Sequence, residues 1–289
     1  MIEEKHILVI SCPDKTGIAA HVFTFIAANG GFVTEAAQFG DALSGLFFMR
    51  IVFTTKTDGD FRSVFNVFFA EIAERYQMTW HLYDPEIPAR LLILVSKESH
   101  CLNDLLQRYR TGLLNVEIAG VVSNHEDMRD FVEWHKIPYH YLPLPKGSSF
   151  EQKREQEKKI VRLADEAKVD LVVLARYMQI LSDDMCRDLS GRCINIHHSF
   201  LPSFKGAKPY HQAYERGVKL FGATAHYVTA DLDEGPIIEQ AVERVDHTNT
   251  PEQMVAMGKD LENIVLAKAV RYHIERRIIM NGLRTVVFK

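Results

Sequence analysis

Apolar positions along the chain change their spacing several times, and each change predicts a different element. Residues 6–10 and 46–55 are dense in apolar and β-branched residues and predict strands. Between them Ile18, Val22, Phe25 and Ile26 recur at helical spacing and stop at Asn29, Gly30 and Gly31, a composition that ends helices. Residues 32–39 then predict a strand, 61–76 a second helix and 78–83 a last strand, giving the order βαββαβ. The following stretch alternates differently. Residues 91–95, 116–122 and 171–175 are short apolar runs without polar alternation, as expected of strands covered on both faces. Helical stretches separate them, so this part predicts a mostly parallel α/β sheet with right-handed crossovers.

Pro85 and Pro88 disfavour regular structure between the two patterns and place a domain boundary there, with domains at 1–84 and 90–289. Near the end, Thr250, Pro251 and Gln253 supply an N-cap, a proline at the first helical position and a capping-box partner. A long helix over 251–276 is expected to turn Met254, Leu261, Val265 and Ala269 inward. The charged run at 151–159 reads as the solvated face of a helix and is given no function.

Composition narrows the function classes. The chain has 289 residues, 47% apolar and 25% charged, with a formal net charge of -4. Residues 1–85 hold 6 Lys and Arg against 10 Asp and Glu, which leaves 28 against 28 for the remainder. Nucleic acid as main partner needs a basic face, so none is expected. The longest apolar runs are too short to span a bilayer, and no cationic segment precedes an apolar one at the N-terminus, so a cytoplasmic protein with no membrane partner is expected. Cys12, Cys101, Cys186 and Cys193 form no CxxC pair and are expected to be free thiols.

An open parallel sheet commonly binds a nucleotide at the loop after its first strand. Here that loop, residues 96–103, contains no glycine, and neither a dinucleotide fingerprint nor a P-loop occurs anywhere, so no nucleotide cofactor is expected. His197, His198 and Asp233 invite a metal reading, but neighbouring strand residues point to opposite faces, and no metal is expected. The densest chemistry lies between Cys193 and Glu239. Asn195 and His197, two residues apart at a strand end, project to one face, and parallel pairing would bring the acidic turn 231–236 to the same sheet edge. An amide, an imidazole and the carboxylate of Asp233 suit attack on a carbonyl carbon, with the acid positioning water and the other two stabilising the oxyanion. An asparagine at a strand end also serves to satisfy backbone groups, and an aspartate in a turn also caps it. No GxSxG elbow is present, which disfavours covalent catalysis.

The run Asn195, Ile196, His197, then Ser199, Phe200, Leu201, Pro202 and Gly206, with His226, Tyr227 and Val228 and with Leu232, Asp233, Gly235 and Pro236, resembles the signature of the formyltetrahydrofolate-using transferases and hydrolases. The resemblance covers most of residues 90–289 and implies catalytic roles for Asn195, His197 and Asp233. It also implies folate contacts from Met178, Gln179, Ile180 and Leu181 and from the loop Ala230, Asp231 and Leu232. The first segment, opened by Cys12, Pro13, Asp14, Lys15, Thr16, Gly17 and Ile18, resembles the ACT regulatory domains, which implies a possible amino-acid effector and a homo-oligomer. The glycine-free loop after the first strand and His198 in place of a proline depart from the transferase branch. The fusion thus resembles the hydrolytic branch, which implies 10-formyltetrahydrofolate as substrate, formate and tetrahydrofolate as products supplying one-carbon and purine metabolism, and no cofactor. Formyl transfer to an amine acceptor is the alternative. A sensor with a disabled catalytic domain is disfavoured by the presence of all three polar groups.

Overall fold

A computed structural model describes residues 2–57, 61–145, 147–201 and 209–289. They fall into two units, one running to Ile87 and taking in Glu275–Lys289, the other spanning Pro88–Ile274.

The first unit contains β1 (Ile2–Pro13), α1 (Ile18–Ala28), β2 (Phe32–Asp41), β3 (Leu46–Thr57), α2 (Phe61–Tyr76) and β4 (Thr79–Tyr83), with the antiparallel order β2-β3-β1-β4. Alternation along the strands decides both faces. Leu8, Ile10, Met49, Ile51 and Phe53 face the helices and pack with Ile18, Val22, Ile26, Phe65 and Phe69. This α+β arrangement is ACT-like.

The second unit contains β5 (Ala89–Val95), α3 (His100–Arg110), β6 (Val116–Ser123), α4 (Arg129–Trp134), β7 (Tyr139–Tyr141), α5 (Phe150–Glu166), β8 (Leu171–Leu174), α6 (Asp183–Asp188), β9 (Cys193–His197), α7 (Pro209–Glu215), β10 (Leu220–Tyr227), β11 (Ile237–Arg244) and α8 (Pro251–Ile274). The sheet order is β11-β10-β9-β8-β5-β6-β7. Strands β9 through β7 are parallel to one another. The expected parallel pairing of β9 with β10 is not what forms: β10 runs antiparallel to both β9 and β11. The reason lies in β10 itself, whose residues are buried on both faces from Phe221 onward, so its pattern does not report its direction. The N-terminus of α8 is closed by reciprocal bonds, Thr250 N donating to Gln253 at 2.9 Å and Gln253 N to the Thr250 hydroxyl at 3.3 Å. Met254, Val265 and Ala269 are buried and Leu261 packs against the cluster formed with Tyr210 and Phe221.

Two further expectations are corrected. The second domain was expected to run to 289, but β12 (Ile278–Asn281) and β13 (Arg284–Val287) form a hairpin belonging to the first unit. Phe48 faces away from the first unit's helices, and Ile279, Val286 and Phe288 cover it. Arg50 and Arg277 share the Glu35 carboxylate in the same unit, at 2.8 and 2.9 Å. The charged run on α5 is also not wholly solvated, since Gln156 and Glu157 are buried.

Candidate active site

Asn195 and His197 leave the same face of β9, and His226 stands opposite Asn195 on β10. The loop from Val228 to Pro236 then folds back over that face, and this return, rather than a shared edge of parallel strands, delivers the acid. Asp233 Oδ1 lies 3.2 Å from His197 Nδ1 and 3.9 Å from His226 Nε2. Two local features permit the return. Gly235 passes so close to β10 that a Cβ would lie 1.7 Å from the Tyr227 carbonyl oxygen. Asp233 itself adopts φ 59°, a left-handed conformation that costs a non-glycine residue about 1–3 kcal/mol.

The hydrogen bonds set the proton positions. His226 Nδ1 lies 2.9 Å from the Tyr227 carbonyl oxygen and must donate to it, so Nε2 is the accepting nitrogen. Asn195 donates to that nitrogen at 3.3 Å, and its second N–H has no partner among the described residues. Burial, partly opposed by the bond to Tyr227, holds the His226 pKa below its ordinary value. Burial pushes the Asp233 carboxyl up, but the hydrogen bond and charge of His197 overcome it and leave the acid below its usual range. His197 is buried, and its Nε2 has no hydrogen-bond partner among the described residues. One ring nitrogen is thus fixed by Asp233 and the other is left for an occupant of the cavity. His198 is pushed down to about 4, first by burial and then by Arg176 and His197.

These groups line a cavity of about 280 Å³. Met178, Gln179, Ile180 and Leu181 form part of its wall, and Val228, Thr229, Ala230 and Leu232 another part. Met178, Ile180 and Leu232 are 56%, 61% and 53% exposed, so large apolar side chains gather around a polar centre, as ligand sites require. Asp231, an expected contact, does not line the cavity. It is exposed, and its carbonyl instead closes the turn by accepting from Thr229 Oγ1 and Glu234 N. Of the signature, Pro202 and Gly206 lie outside the described residues.

Sequence reasoning missed the residues that hold this site. Ser96, at the end of β5, accepts from Met178 N at 3.0 Å and donates to Asn124 at 2.8 Å. Glu157 accepts from Ser182 N at 2.9 Å and from its hydroxyl, fixing the far end of the 177–182 segment. His226 was visible only as part of the signature. A group with metal-like spacing, His100, Cys101 and Glu262, has ligand atoms within 4.8 Å of one another. Its carboxylate is already engaged by His100 at 2.8 Å and Tyr210 at 2.7 Å, and burial, reinforced by the Glu262 charge, pushes the Cys101 thiol up.

Comparison with known proteins decides the family. A formyl transferase family model matches residues 89–270. A formyltetrahydrofolate deformylase from Bacillus subtilis is 47% identical over 287 residues, 99% of this chain and 94% of that protein. The chain belongs to the formyltetrahydrofolate deformylase family. The crystal structure of a family member from Burkholderia mallei superposes with a TM-score of 0.92 at 48% identity, over 99% of this chain and 100% of that one. A glycinamide ribonucleotide transformylase from Symbiobacterium toebii is more distant, with a TM-score of 0.65 and 29% identity over 70% of this chain and 95% of its own. The deformylase likeness therefore spans both units, and the transformylase likeness covers a smaller share of the chain.

Proposed function

We propose that this chain hydrolyses 10-formyltetrahydrofolate to formate and tetrahydrofolate, and that Asn195, His197 and Asp233 carry the chemistry. His197 donates through Nδ1 to Asp233 and, in its imidazolium form, through Nε2 to the formyl oxygen. The free N–H of Asn195 is the second donor to that oxygen. Asp233 orients a water molecule and takes its proton as the water oxygen bonds to the formyl carbon. The negative charge gathers on the formyl oxygen, where each donor is worth about 3 kcal/mol of barrier. Collapse breaks the bond from carbon to N10, which receives the proton, and formate departs. These steps use only water and side chains, which supports a reaction without a resident cofactor.

The observation that carries this reading is the Asp233–His197 pair, its outer ring nitrogen unpartnered among the described residues, in one cavity with Asn195. Met178, Gln179, Ile180, Leu181, Ala230 and Leu232 are proposed to hold the folate ring system. The ACT-like unit is proposed to bind an amino-acid effector and to pair with a second copy. A cytoplasmic location is proposed, and no helix among the described residues is long and apolar enough to cross a membrane. Purified protein given 10-formyltetrahydrofolate and no amine is expected to release formate and tetrahydrofolate in equal amounts. Turnover that appears only when an amine acceptor is added would overturn the hydrolytic reading.

A further inference from the structure

A buried polar cluster borders the cavity, and the water attack described above uses none of its side chains. Glu262 on α8 is 1% exposed and accepts from His100 Nε2 at 2.8 Å and from the Tyr210 hydroxyl at 2.7 Å. Arg176 Nε faces the same carboxylate at 3.4 Å, and the Arg176 side chain is only 13% exposed. Gly258 makes room for the cluster, because a Cβ there would lie 2.2 Å from the Tyr210 ring. Arg176 also lines the cavity, together with His198, and its backbone sits at φ 64°, where glycine would be easier. A long cation stands at a strained position with a buried carboxylate at ion-pair distance behind it, while its Nε has no hydrogen-bond partner among the described residues, which is a costly arrangement unless the side chain has a use where it stands.

Size indicates the use. A cavity of about 280 Å³ lies at the lower bound of small-molecule sites, which run from roughly 300 to 1,000 Å³. It has room for one heterocycle with its formyl group and for water molecules of about 30 Å³ each, so the groups at its margin decide what else reaches the formyl carbon.

We propose that Arg176, paired with Glu262, selects the nucleophile: its side chain closes the His198 side of the cavity, so that water reaches the formyl carbon and larger nucleophiles do not. The inference rests on the hydrolytic reading above and adds what excludes other acceptors. Glu262, with His100 and Tyr210, is a positioning group that acts through Arg176.

The test is a partition experiment with hydroxylamine. Attack of its nitrogen on the formyl carbon would break the bond to N10, which takes the proton, giving formohydroxamate and tetrahydrofolate in place of formate. Wild-type protein is expected to yield formate with only a small, measurable fraction of formohydroxamate, after subtraction of an enzyme-free blank. Arg176→Gly, which also relieves the left-handed backbone, is expected to raise the ratio of formohydroxamate to formate at least tenfold. Arg176→Lys, long enough to reach Glu262, should restore the wild-type ratio. If Arg176→Gly does not fold, Arg176→Ala carries the same expectation, since it leaves the backbone no more strained than arginine does. A ratio unchanged from wild type in a folded, formate-releasing variant would overturn the proposal. Wild-type protein that releases no formate would instead overturn the hydrolytic reading, and this inference with it.

Discussion

The Asn195 amide can offer a neighbour either its oxygen or its N–H, and His226 decides between them. Because His226 Nδ1 is committed to the Tyr227 carbonyl, only an N–H of Asn195 satisfies Nε2, and the amide is turned with its donors toward the ring. His226→Phe keeps the bulk and removes the acceptor. It is expected to lower kcat about tenfold to a hundredfold, the cost of a misoriented catalytic group, with a smaller change in KM. Steady-state formate release checks this, and an unchanged kcat would remove His226 from the account. At this scale Asn195 and His197 were legible, because two residues apart on a strand means one face whatever the strand pairs with. His226 was not, because its place beside Asn195 depends on a cross-strand register that spacing along the chain does not contain.

Among the elements, β10 and the loop that follows it matter most. The apolar runs announce β5, β6 and β8 because strands buried on both faces carry little else. The same burial hides the direction of β10, and an antiparallel strand sends its following loop away from the end of β9 that bears His197. Only the fold of residues 228–236 back across the sheet recovers the contact, and Gly235 is what allows it. Gly235→Ala is therefore expected to destabilise the protein by at least about 1–3 kcal/mol, as overpacking does. It should also separate Asp233 from His197, with turnover falling further than the stability loss alone explains. Denaturant unfolding and activity measured on the same preparation test this, and wild-type values for both would show that the loop has another route. The α5 run misled for a related reason, since Gln156 and Glu157 are ordinary surface residues by composition and are buried only because the 177–182 segment needs acceptors.

For the whole molecule, the division near Ile87 was legible in two prolines and a change of period, whereas the return of Glu275–Lys289 to the first unit was not. Its signal was present in Asn281 and Gly282 between two short apolar runs, a hairpin composition, with Gly282 at φ 64°. The second unit gathers its chemistry from distant parts of the chain: the ends of β9 and β10 and the loop before β11 converge on one cavity. The central claim is that the acid on that loop acts on water in the chemical step while contributing little to holding the folate. The most direct measurement is therefore the single-turnover rate of formate release from Asp233→Asn, taken together with its dissociation constant for tetrahydrofolate. The expected rate is lower by about three orders of magnitude, within the range of general acid–base contributions, with affinity within a few-fold of wild type. A rate near that of wild type, or a loss carried entirely by folate affinity, would contradict it.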